Sequence, residues 1–253
     1  MLPNFFIVGA PKAGTTSLYH YLNGHPDIFM SDPKELNYFS GSEIKSQGLY
    51  YNTYIVKDLD KYEKHFKNST GETAAGEASV SYLFYKEVPE KIYELIPDAK
   101  IIIILRDPVK RAHSHFLMDE RLGYINYSFE DIVYSKKKIA EYELFYQQYV
   151  ELGFYHDQVK RYLDTFGKNR VRVYFFDEFN KNPGFVLKDL YQFLGVKEHS
   201  GSIVSEKYNV GLTPGTKLTG ELYKSERLRK SLSKIVPDSI KKKLKKVLFS
   251  ASG

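Results

Sequence analysis

Residues 5–17 read FFIVGAPKAGTTS, an apolar run that enters a glycine-containing loop and then a segment with helical character. This order predicts a buried strand, a loop and a helix that begins at Thr15. The backbone N–H groups of such a loop, together with the N-terminus of the following helix, favour a bound anion. Lys12 adds a positive charge, and Thr15, Thr16 and Ser17 add hydroxyl donors. The stretch therefore predicts a phosphate-binding loop, the alternative being a plain turn between strand and helix.

Two further apolar runs predict strands of the same sheet. They cover residues 101–105 and 171–176, and helical patterns at 109–122, 155–166 and 184–194 flank them. Uninterrupted apolar strands between helices are typical of a parallel sheet that is covered on both faces. The sequence therefore predicts an α/β fold, a single P-loop-like domain with a central parallel sheet flanked by helices.

The domain is expected to end near residue 222. Residues 1–222 form the predicted domain, and residues 223–253 form a separate C-terminal tail. Within the domain, residues 128–150 are tyrosine-rich and predict a helical insertion or lid over the sheet. Residues 198–222 are rich in glycine, serine and threonine and predict a long loop, which is often functional in a compact domain.

The composition excludes several kinds of chemistry. The 253 residues include no cysteine, which rules out disulfides, thiolate catalysis, cysteine-ligated zinc and iron–sulfur clusters. Zero cysteine also favours a reducing compartment, and the apolar run after Met1 is too short for the core of a signal peptide. We therefore expect Met1 to be the native start of a cytoplasmic, bacterial-type protein, with peripheral membrane contact as the alternative.

The positive charge is concentrated in the tail. Residues 224–249 carry ten basic and two acidic residues, a net +8 that leaves −2 of the total +6 for the rest of the chain. The apolar spacing there predicts two short basic amphipathic helices separated by Pro237. Such helices suit an anionic membrane or an acidic polysaccharide, the alternative being helices that pack on the domain. A protein that uses this tail to bind membrane or nucleic acid is one possible functional class. For the folded domain itself no nucleic-acid partner is expected, and the oligomeric state stays open.

A P-loop nucleotide kinase is one enzyme class that a phosphate-binding loop of this kind suggests. The spacing from Gly9 to Gly14 fits the pattern G-x-x-x-x-G-K-[ST], but Thr15 stands where that pattern has its lysine. A magnesium-binding aspartate should end an apolar strand, whereas Arg106 follows the run at 101–105. The sequence thus favours phosphate binding without the metal apparatus.

A second anion site is predicted at the carboxyl end of the same apolar run. Arg106 offers a bidentate fork, and Ser114 follows on the next predicted helix. Ligands of α/β sheets bind at this edge. Together the two side chains are suited to a second phosphate of one nucleotide, the alternative being an ion pair between Arg106 and Asp107.

Residues 9–17 resemble the 5′-phosphosulfate loop of sulfotransferases that use 3′-phosphoadenosine 5′-phosphosulfate (PAPS). Residues 105–114, LRDPVKRAHS, resemble the 3′-phosphate motif of the same family. The resemblance covers residues 4 to about 220 and is strongest to carbohydrate-type, heparan sulfate-like, and bacterial members. It implies transfer of a sulfuryl group from PAPS to a hydroxyl acceptor, with adenosine 3′,5′-bisphosphate (PAP) as product. A carbohydrate is the expected acceptor; a small-molecule, lipid or polyketide hydroxyl is the alternative.

The resemblance implies a role for each residue of the two motifs. Lys12 is expected to contact the bridging oxygen and the leaving 5′-phosphate, and Arg106 and Ser114 to bind the 3′-phosphate. The implied nucleotide-binding residues are Lys12, Ala13, Gly14, Thr15, Thr16, Ser17, Arg106 and Ser114. Residues 205–217 occupy the place of a third nucleotide-contacting loop, which makes Lys207 and Lys217 further candidates or, alternatively, ordinary solvated lysines. No metal is expected, because the donor carries less charge at its reacting end than a triphosphate.

The acceptor hydroxyl must lose a proton as it attacks, so a base is needed within hydrogen-bond reach. Residues 33–39, PKELNYF, resemble the segment that supplies the catalytic glutamate in heparan-type sulfotransferases, which makes Glu35 the expected base. Lys34 beside it helps to keep Glu35 ionised, although an ordinary surface ion pair is the alternative. The family often has histidine where this chain has Asn37. Glu77 is the second candidate base, in a stretch that lacks the histidine of the cytosolic small-molecule members.

Overall fold

In the part of the chain that the structure describes, five strands form one parallel sheet. They are β1 (Phe5–Gly9), β2 (Ile28–Met30), β3 (Ala74–Ala78), β4 (Lys100–Leu105) and β5 (Val171–Phe175). Hydrogen bonding places them in the order β2-β3-β1-β4-β5, and each neighbouring pair is parallel. The predicted α/β fold with a central parallel sheet is therefore confirmed. The computed structural model describes residues 1–135 and 138–199, and beyond them only two short strands.

Helices connect the strands and cover the sheet. They are α1 (Thr15–Asn23), α2 (Gly41–Gln47), α3 (Leu59–Lys64), α4 (Val88–Leu95), α5 (Pro108–Leu122), α6 (Phe129–Val133), α7 (Tyr142–Tyr149), α8 (Tyr155–Phe166), α9 (Phe176–Lys181) and α10 (Pro183–Leu194). No helix among the described residues combines the length and the apolar character needed to cross a bilayer.

The predicted insertion at 128–150 contains two helices. Ser128 starts α6 with a capping box, in which its Oγ accepts from the N–H of Asp131 and the Asp131 carboxylate accepts from the N–H of Ser128. The chain then turns at Tyr134 and Ser135, and α7 begins after Glu141, which has a left-handed backbone (φ 60°). Both helices belong to a second apolar cluster built on the outer part of α5, apart from the cluster around the sheet.

The central strand β1 and its neighbour β4 are deeply buried. Residues 5–8 of β1 and 101–104 of β4 have 0% exposed surface. Burial of each such side chain contributes about 1.5–3 kcal/mol relative to exposure. This burial on both faces is the reason why these strands read as continuous apolar runs in the sequence. Phe176, by contrast, is not the last residue of a strand, as predicted, but the first residue of α9.

Gly76 provides a sharp test of how tightly this sheet is packed. It pairs with Phe5 across β3 and β1, and a Cβ built on it would lie 2.1 Å from the Phe5 ring. Because Phe5 is fully buried, its ring cannot shift into solvent to make room. We therefore expect Gly76→Ala to lower the free energy of unfolding by about 1–3 kcal/mol. Urea denaturation measures this loss. Gly24→Ala is the control, since its Cβ meets its nearest neighbours at 3.5 Å; equal stability of the two variants would contradict the expectation.

The strand order creates a crevice between β1 and β4. The chain leaves β1 through α1 towards β2 on one side of the sheet, and leaves β4 through α5 towards β5 on the other side. Ligands of open α/β sheets bind at such a switch point, outside the carboxyl ends of the strands. The fold thus brings together the loops that follow residues 9 and 105.

Two predicted regions lie almost entirely outside the described residues. In the predicted loop 198–222, residues Leu212–Pro214 form β6, and in the predicted tail 223–253, residues Phe249–Ala251 form β7. These two strands pair antiparallel. The predicted tail helices and the candidates Lys207 and Lys217 fall on residues that the structure does not describe.

Candidate functional site

A cleft of about 1230 Å³ opens at the carboxyl edge of β1 and β4. Its wall contains side chains from the loop after β1, from the segment 35–37 and from α5. The predicted site residues that line it are Lys12, Gly14, Thr15, Thr16, Glu35, Arg106 and Ser114. Ala13 and Ser17 do not line it: Ala13 is fully buried beneath the loop, and Ser17 lies in the first turns of α1.

The loop after β1 is held in a shape that presents its backbone to the cleft. Ala10 donates its N–H to the Ile104 carbonyl at 2.7 Å, which ties the loop to β4. Gly14 has a left-handed backbone (φ 90°), and a Cβ there would lie 2.8 Å from the Phe176 ring. Glycine is therefore required at this position both by conformation and by space. α1 then begins at Thr15 with no side-chain cap and no acid in its first turn, an arrangement that favours an anion.

Lys12 lies half-buried at the centre of the cleft. Its Nζ is 3.4 Å from the Sδ of Met118 on α5. Burial, and next the positive charge of Arg121, lower the pKa of Lys12 below its ordinary value, while Asp119 opposes the shift. A negative charge nearby favours the ammonium form. An anion bound in this cleft would therefore be stabilised by Lys12 and would itself keep Lys12 charged.

Arg106 is fixed by contacts on three sides. Its Nη1 donates to the Lys12 carbonyl at 3.1 Å, and its guanidinium lies 4.7 Å from the centre of the Phe176 ring. The Tyr155 hydroxyl donates to the Arg106 carbonyl at 3.0 Å. Within the described residues its buried Nε has no hydrogen-bond partner. The protein thus holds this guanidinium beside the loop and leaves part of its donor capacity unused.

Asp107 serves as the N-cap of α5 and does not pair with Arg106. Its Oδ1 accepts from the N–H of Lys110 at 2.8 Å, and Pro108 occupies the first turn. This is the normal task of an aspartate at a helix start. Ser114 stands further along the same helix, half-buried, and lines the cleft. α5 therefore presents both predicted anion-binding side chains, Arg106 immediately before it and Ser114 within it.

Glu35 reaches the cleft from a strained segment. Its φ is 70°, and that of Asn37 is 50°, both in the left-handed region that non-glycine residues seldom adopt. The Glu35 N–H donates to the Ala78 carbonyl at 3.0 Å, which fixes the segment to the end of β3. The Glu35 carboxylate accepts from Lys34 Nζ at 2.5 Å, and its side chain is 37% exposed. The predicted pair of Lys34 and Glu35 is thus present, at the wall of the cleft.

Asn37 supports the backbone of this segment and does not touch the Glu35 carboxylate. Its Nδ2 donates to the Glu35 carbonyl at 3.2 Å and to the Tyr54 carbonyl at 2.9 Å. Its Oδ1 accepts from Ser81 Oγ at 2.6 Å. The side chain is buried, with 2% exposure. Asn37 therefore fixes the turn, a task that its residue type alone does not indicate.

Glu77, the second candidate base, is wrongly placed for that role. It is fully buried, does not line the cleft, and accepts hydrogen bonds from three hydroxyls. Burial raises its pKa to about 6, although these hydrogen bonds act in the opposite direction. Glu77 thus has no exposed surface at which an acceptor hydroxyl could meet it in this structure, whereas a base must lie within hydrogen-bond reach of that hydroxyl.

α5 also has a buried polar face that was not predicted from the sequence. Arg111 Nη2 donates to the carbonyls of Gln148 at 2.8 Å and Tyr149 at 2.6 Å, and Asp119 Oδ2 accepts from the hydroxyls of Tyr50 at 2.5 Å and Tyr149 at 2.8 Å. These contacts anchor α7 and the chain around Tyr50 against α5. Arg111 and Asp119 lie two steps of four residues apart along α5, so they share one face of the helix. This spacing is the signal that could have revealed the face from the sequence.

Burial shifts the pKa values of the ionisable side chains on this face. Burial lowers the pKa of Arg111 to about 10 and raises that of Asp119. Burial, followed by the neighbouring Arg111, lowers the pKa of His115 to about 3. His115 is therefore neutral at physiological pH, and the buried positive charge behind the cleft is that of Arg111.

Residues 2–210 match the family model described as a sulfotransferase domain. The chain belongs to the sulfotransferase family. The match contains the whole parallel sheet and every cleft residue named above. The cleft therefore lies within the matched sulfotransferase domain.

Two curated proteins illustrate the range of relatives. A membrane-associated sulfotransferase of Dictyostelium discoideum is 32% identical over 149 residues, which are 55% of this chain and 29% of that protein. The human bifunctional heparan sulfate N-deacetylase/N-sulfotransferase 3 is 28% identical over 204 residues, which are 78% of this chain and 23% of that protein. This sulfotransferase chain spans about a quarter of the length of the curated relatives that it matches.

Two solved structures share the fold. A sulfotransferase from Alicyclobacillus acidocaldarius is 35% identical, with 93% of this chain and 91% of that chain covered and a TM-score of 0.70. A mouse sulfotransferase solved with PAP is 22% identical, with 79% of this chain and 61% of that chain covered and a TM-score of 0.52. At that identity the mouse structure supports the fold alone.

Proposed function

We propose that this sulfotransferase moves a sulfuryl group from PAPS to a hydroxyl of a carbohydrate by in-line displacement, with Glu35 as the base. One observation carries the proposal. A single cleft contains Lys12, Arg106 with Ser114, and Glu35, which come from three separate segments of the chain. Nucleotide, transferred group and acceptor must meet in one place, and these residue types suit each of them.

The donor set of the cleft fits PAPS. The uncapped start of α1 and the hydroxyls of Thr15 and Thr16 would hold the 5′-phosphate end. Arg106, whose buried Nε lacks a partner among the described residues, would hold the 3′-phosphate together with Ser114. When bound, PAPS supplies an activated sulfuryl group on a phosphate leaving group.

Lys12 would act on the leaving phosphate and Glu35 on the attacking hydroxyl. Negative charge grows on the leaving phosphate during displacement, so the Lys12 ammonium stabilises the transition state more than the ground state. Glu35 would take the proton of the attacking hydroxyl. The contact with Lys34 holds the Glu35 carboxylate at the wall of the cleft.

The walls of the cleft support a sugar-like acceptor. Aromatic side chains also line the cleft, namely Tyr51, Phe84, Tyr85 and Tyr124. Flat rings combined with hydroxyl groups are suited to an acceptor that has both apolar faces and polar edges. The human relative is named for heparan sulfate, which points in the same direction. A small-molecule, lipid or polyketide hydroxyl remains the alternative.

An acceptor panel with radiolabelled PAPS tests the proposed reaction. The panel contains desulfated heparan sulfate, p-nitrophenol and a long-chain alcohol. We expect label to appear on the polysaccharide, faster than on the two small acceptors. Label on p-nitrophenol or the alcohol alone would overturn the carbohydrate assignment while leaving PAPS as donor, whereas no label on any member would count against the reaction.

Replacement of Arg106 should weaken the binding of nucleotides that carry a 3′-phosphate. For Arg106→Ala we expect the Kd of PAP to rise about 10- to 100-fold, because charge-assisted hydrogen bonds contribute about 1.5–3 kcal/mol, while the Kd of 5′-AMP changes little. Isothermal titration calorimetry measures both. Arg170→Ala is the control, since Arg170 pairs with Asp98 on the surface, away from the cleft. Equal weakening of PAP and 5′-AMP would instead assign Arg106 to holding the loop through the Lys12 carbonyl.

The basic tail carries a separate prediction. If residues 223–253 bind an anionic membrane or an acidic polysaccharide, retention on phosphatidylserine vesicles should fall as the salt concentration rises. Deletion of the tail should abolish retention and leave PAP affinity unchanged. Salt-insensitive retention, or none, would contradict this use of the tail.

A further inference from the structure

A buried carboxylate lies beneath the segment that carries Glu35. Glu77 has no exposed surface, and its two oxygens accept three hydrogen bonds from hydroxyl groups. Oε1 accepts from Ser79 Oγ at 2.5 Å and from Tyr82 Oη at 2.7 Å. Oε2 accepts from Tyr62 Oη at 2.6 Å. A buried charge is costly unless it is hydrogen-bonded in this way, and the proposed reaction gives Glu77 no chemical task.

Two of these hydroxyls also accept hydrogen bonds from backbone N–H groups of the segment that carries Glu35. Ser79 Oγ accepts from the N–H of Asn37 at 3.0 Å. Tyr82 Oη accepts from the N–H of Phe39 at 3.3 Å. Each hydroxyl thus donates to Glu77 on one side and accepts from the segment on the other.

The third hydroxyl belongs to a ring that packs on the same segment. Tyr62 stacks on Tyr38 with the ring centres 4.5 Å apart and the planes at 19°. Three consecutive residues, 37 to 39, are therefore each held by one of the three donors to Glu77.

The direction of these hydrogen bonds depends on the ionised carboxylate. A carboxylate can only accept, so it turns every hydroxyl proton towards itself and leaves the oxygen lone pairs for the N–H groups of the segment. An amide or a protonated acid in the same place donates to at least one hydroxyl. That hydroxyl can then no longer donate to residue 77, and where it is Ser79 or Tyr82 its two lone pairs must serve both the new donor and the N–H of the segment.

The segment needs such support because of its backbone. Glu35 and Asn37 both have positive φ values, 70° and 50°. Strained conformations of this kind persist only where surrounding contacts over-determine them, and they cluster at functional sites. A displacement of about 1 Å of a reacting group can cost about 100-fold in rate.

We propose that Glu77 is a positioning residue, which holds residues 37–39 through Ser79, Tyr82 and Tyr62 and thereby directs the Glu35 carboxylate into the cleft. The inference rests on the proposed function of Glu35 as base. Glu77 touches no substrate and acts entirely through its three hydroxyl partners.

Two variants interrupt the network at different points. Glu77→Gln keeps the shape of the side chain and changes the hydrogen-bond direction. Ser79→Ala removes one link and leaves the Glu77 carboxylate with its two tyrosine donors, which keeps the test informative if Glu77→Gln fails to fold. Tyr174→Phe is the control, because it removes a similar hydroxyl–carboxylate hydrogen bond, to Asp189 at 2.5 Å, away from the cleft.

Amide hydrogen exchange and kinetics together test the proposal. In Ser79→Ala, where the N–H of Asn37 loses its acceptor, we expect this amide to exchange at least 10-fold faster than in the wild type. In both variants we expect kcat to fall about 10- to 100-fold with p-nitrophenol or desulfated heparan sulfate, whichever the wild type sulfates faster. The Kd of PAP should change less than about twofold, and Tyr174→Phe should match the wild type.

The outcomes separate this inference from the proposed base. Wild-type kcat in Ser79→Ala, alongside an inactive Glu35→Gln, would overturn the positioning role alone. An equal loss of kcat in Tyr174→Phe would also overturn it, since a general loss of stability would then explain the effect. Normal turnover in Glu35→Gln would remove Glu35 as the base, and the positioning role with it.

Discussion

Lys12→Ala is expected to lower kcat about 100- to 1000-fold, the range seen when a single preorganised donor to a developing negative charge is removed. Lys12 stands in the centre of the cleft, half-buried, between the start of α1 and α5. In this setting its charge is poorly screened by water and acts strongly on a neighbouring anion. The loss should fall mainly on kcat, since the charge on the leaving phosphate grows as the reaction proceeds.

Steady-state kinetics with radiolabelled PAPS measures this loss. Lys188→Ala is the matched control, because Lys188 is an exposed lysine that pairs with Glu198 at 2.9 Å, outside the cleft. A loss that appears only as a higher KM for PAPS would show that Lys12 binds the donor without acting on the transition state. An unchanged rate would remove Lys12 from the reaction altogether.

Glu35→Gln is expected to lower kcat about 100- to 10000-fold, the contribution typical of a general base. Glutamine keeps the shape of the side chain but cannot take a proton from an attacking hydroxyl. Glu35 stands at the cleft wall next to Lys34, apart from the residues assigned to the nucleotide. Binding of PAP should therefore survive the substitution.

Kinetics and calorimetry on the same preparation separate the two effects. Glu43→Gln is the control, since Glu43 also pairs with a lysine, Lys91 at 2.6 Å, but does not line this cleft. If Glu35→Gln turned over at the wild-type rate, Glu35 would not be the base. If it lost PAP affinity as well as rate, the segment that carries Glu35 would instead be part of the nucleotide site.

The parts of the fold that were predictable are those with strong local signals. β1, β4 and β5 are apolar runs, and the helices that follow them have clear starts, such as Asp107 before Pro108. β2 and β3 were not predicted, because β2 has three residues and β3 reads AAGEA, which has neither bulk nor alternation. Gly76 shows the reason: its small size serves the Phe5 ring on the neighbouring strand, a contact that no local pattern reveals.

The candidate site also contains some residues that could be predicted from the sequence and others that could not. Lys12, Arg106 and Glu35 follow recognisable motifs, and all three line one cleft. The task of Asn37, which holds the backbone of the turn, depends on partners such as Tyr54 that the fold brings close. The same is true of Glu77, whose burial and three hydroxyl partners depend on contacts that the sequence does not reveal.

Calorimetric titration of the wild-type protein with PAP and with ATP, each in EDTA and in Mg²⁺, is the most direct test of whether this cleft is a PAPS site. We predict that PAP binds without metal and at least about 10-fold tighter than ATP, because only PAP carries the 3′-phosphate assigned to Arg106 and Ser114. We predict that Mg²⁺ changes neither result. Tighter binding of ATP that appears only with Mg²⁺ would contradict the assignment and favour a P-loop nucleotide kinase.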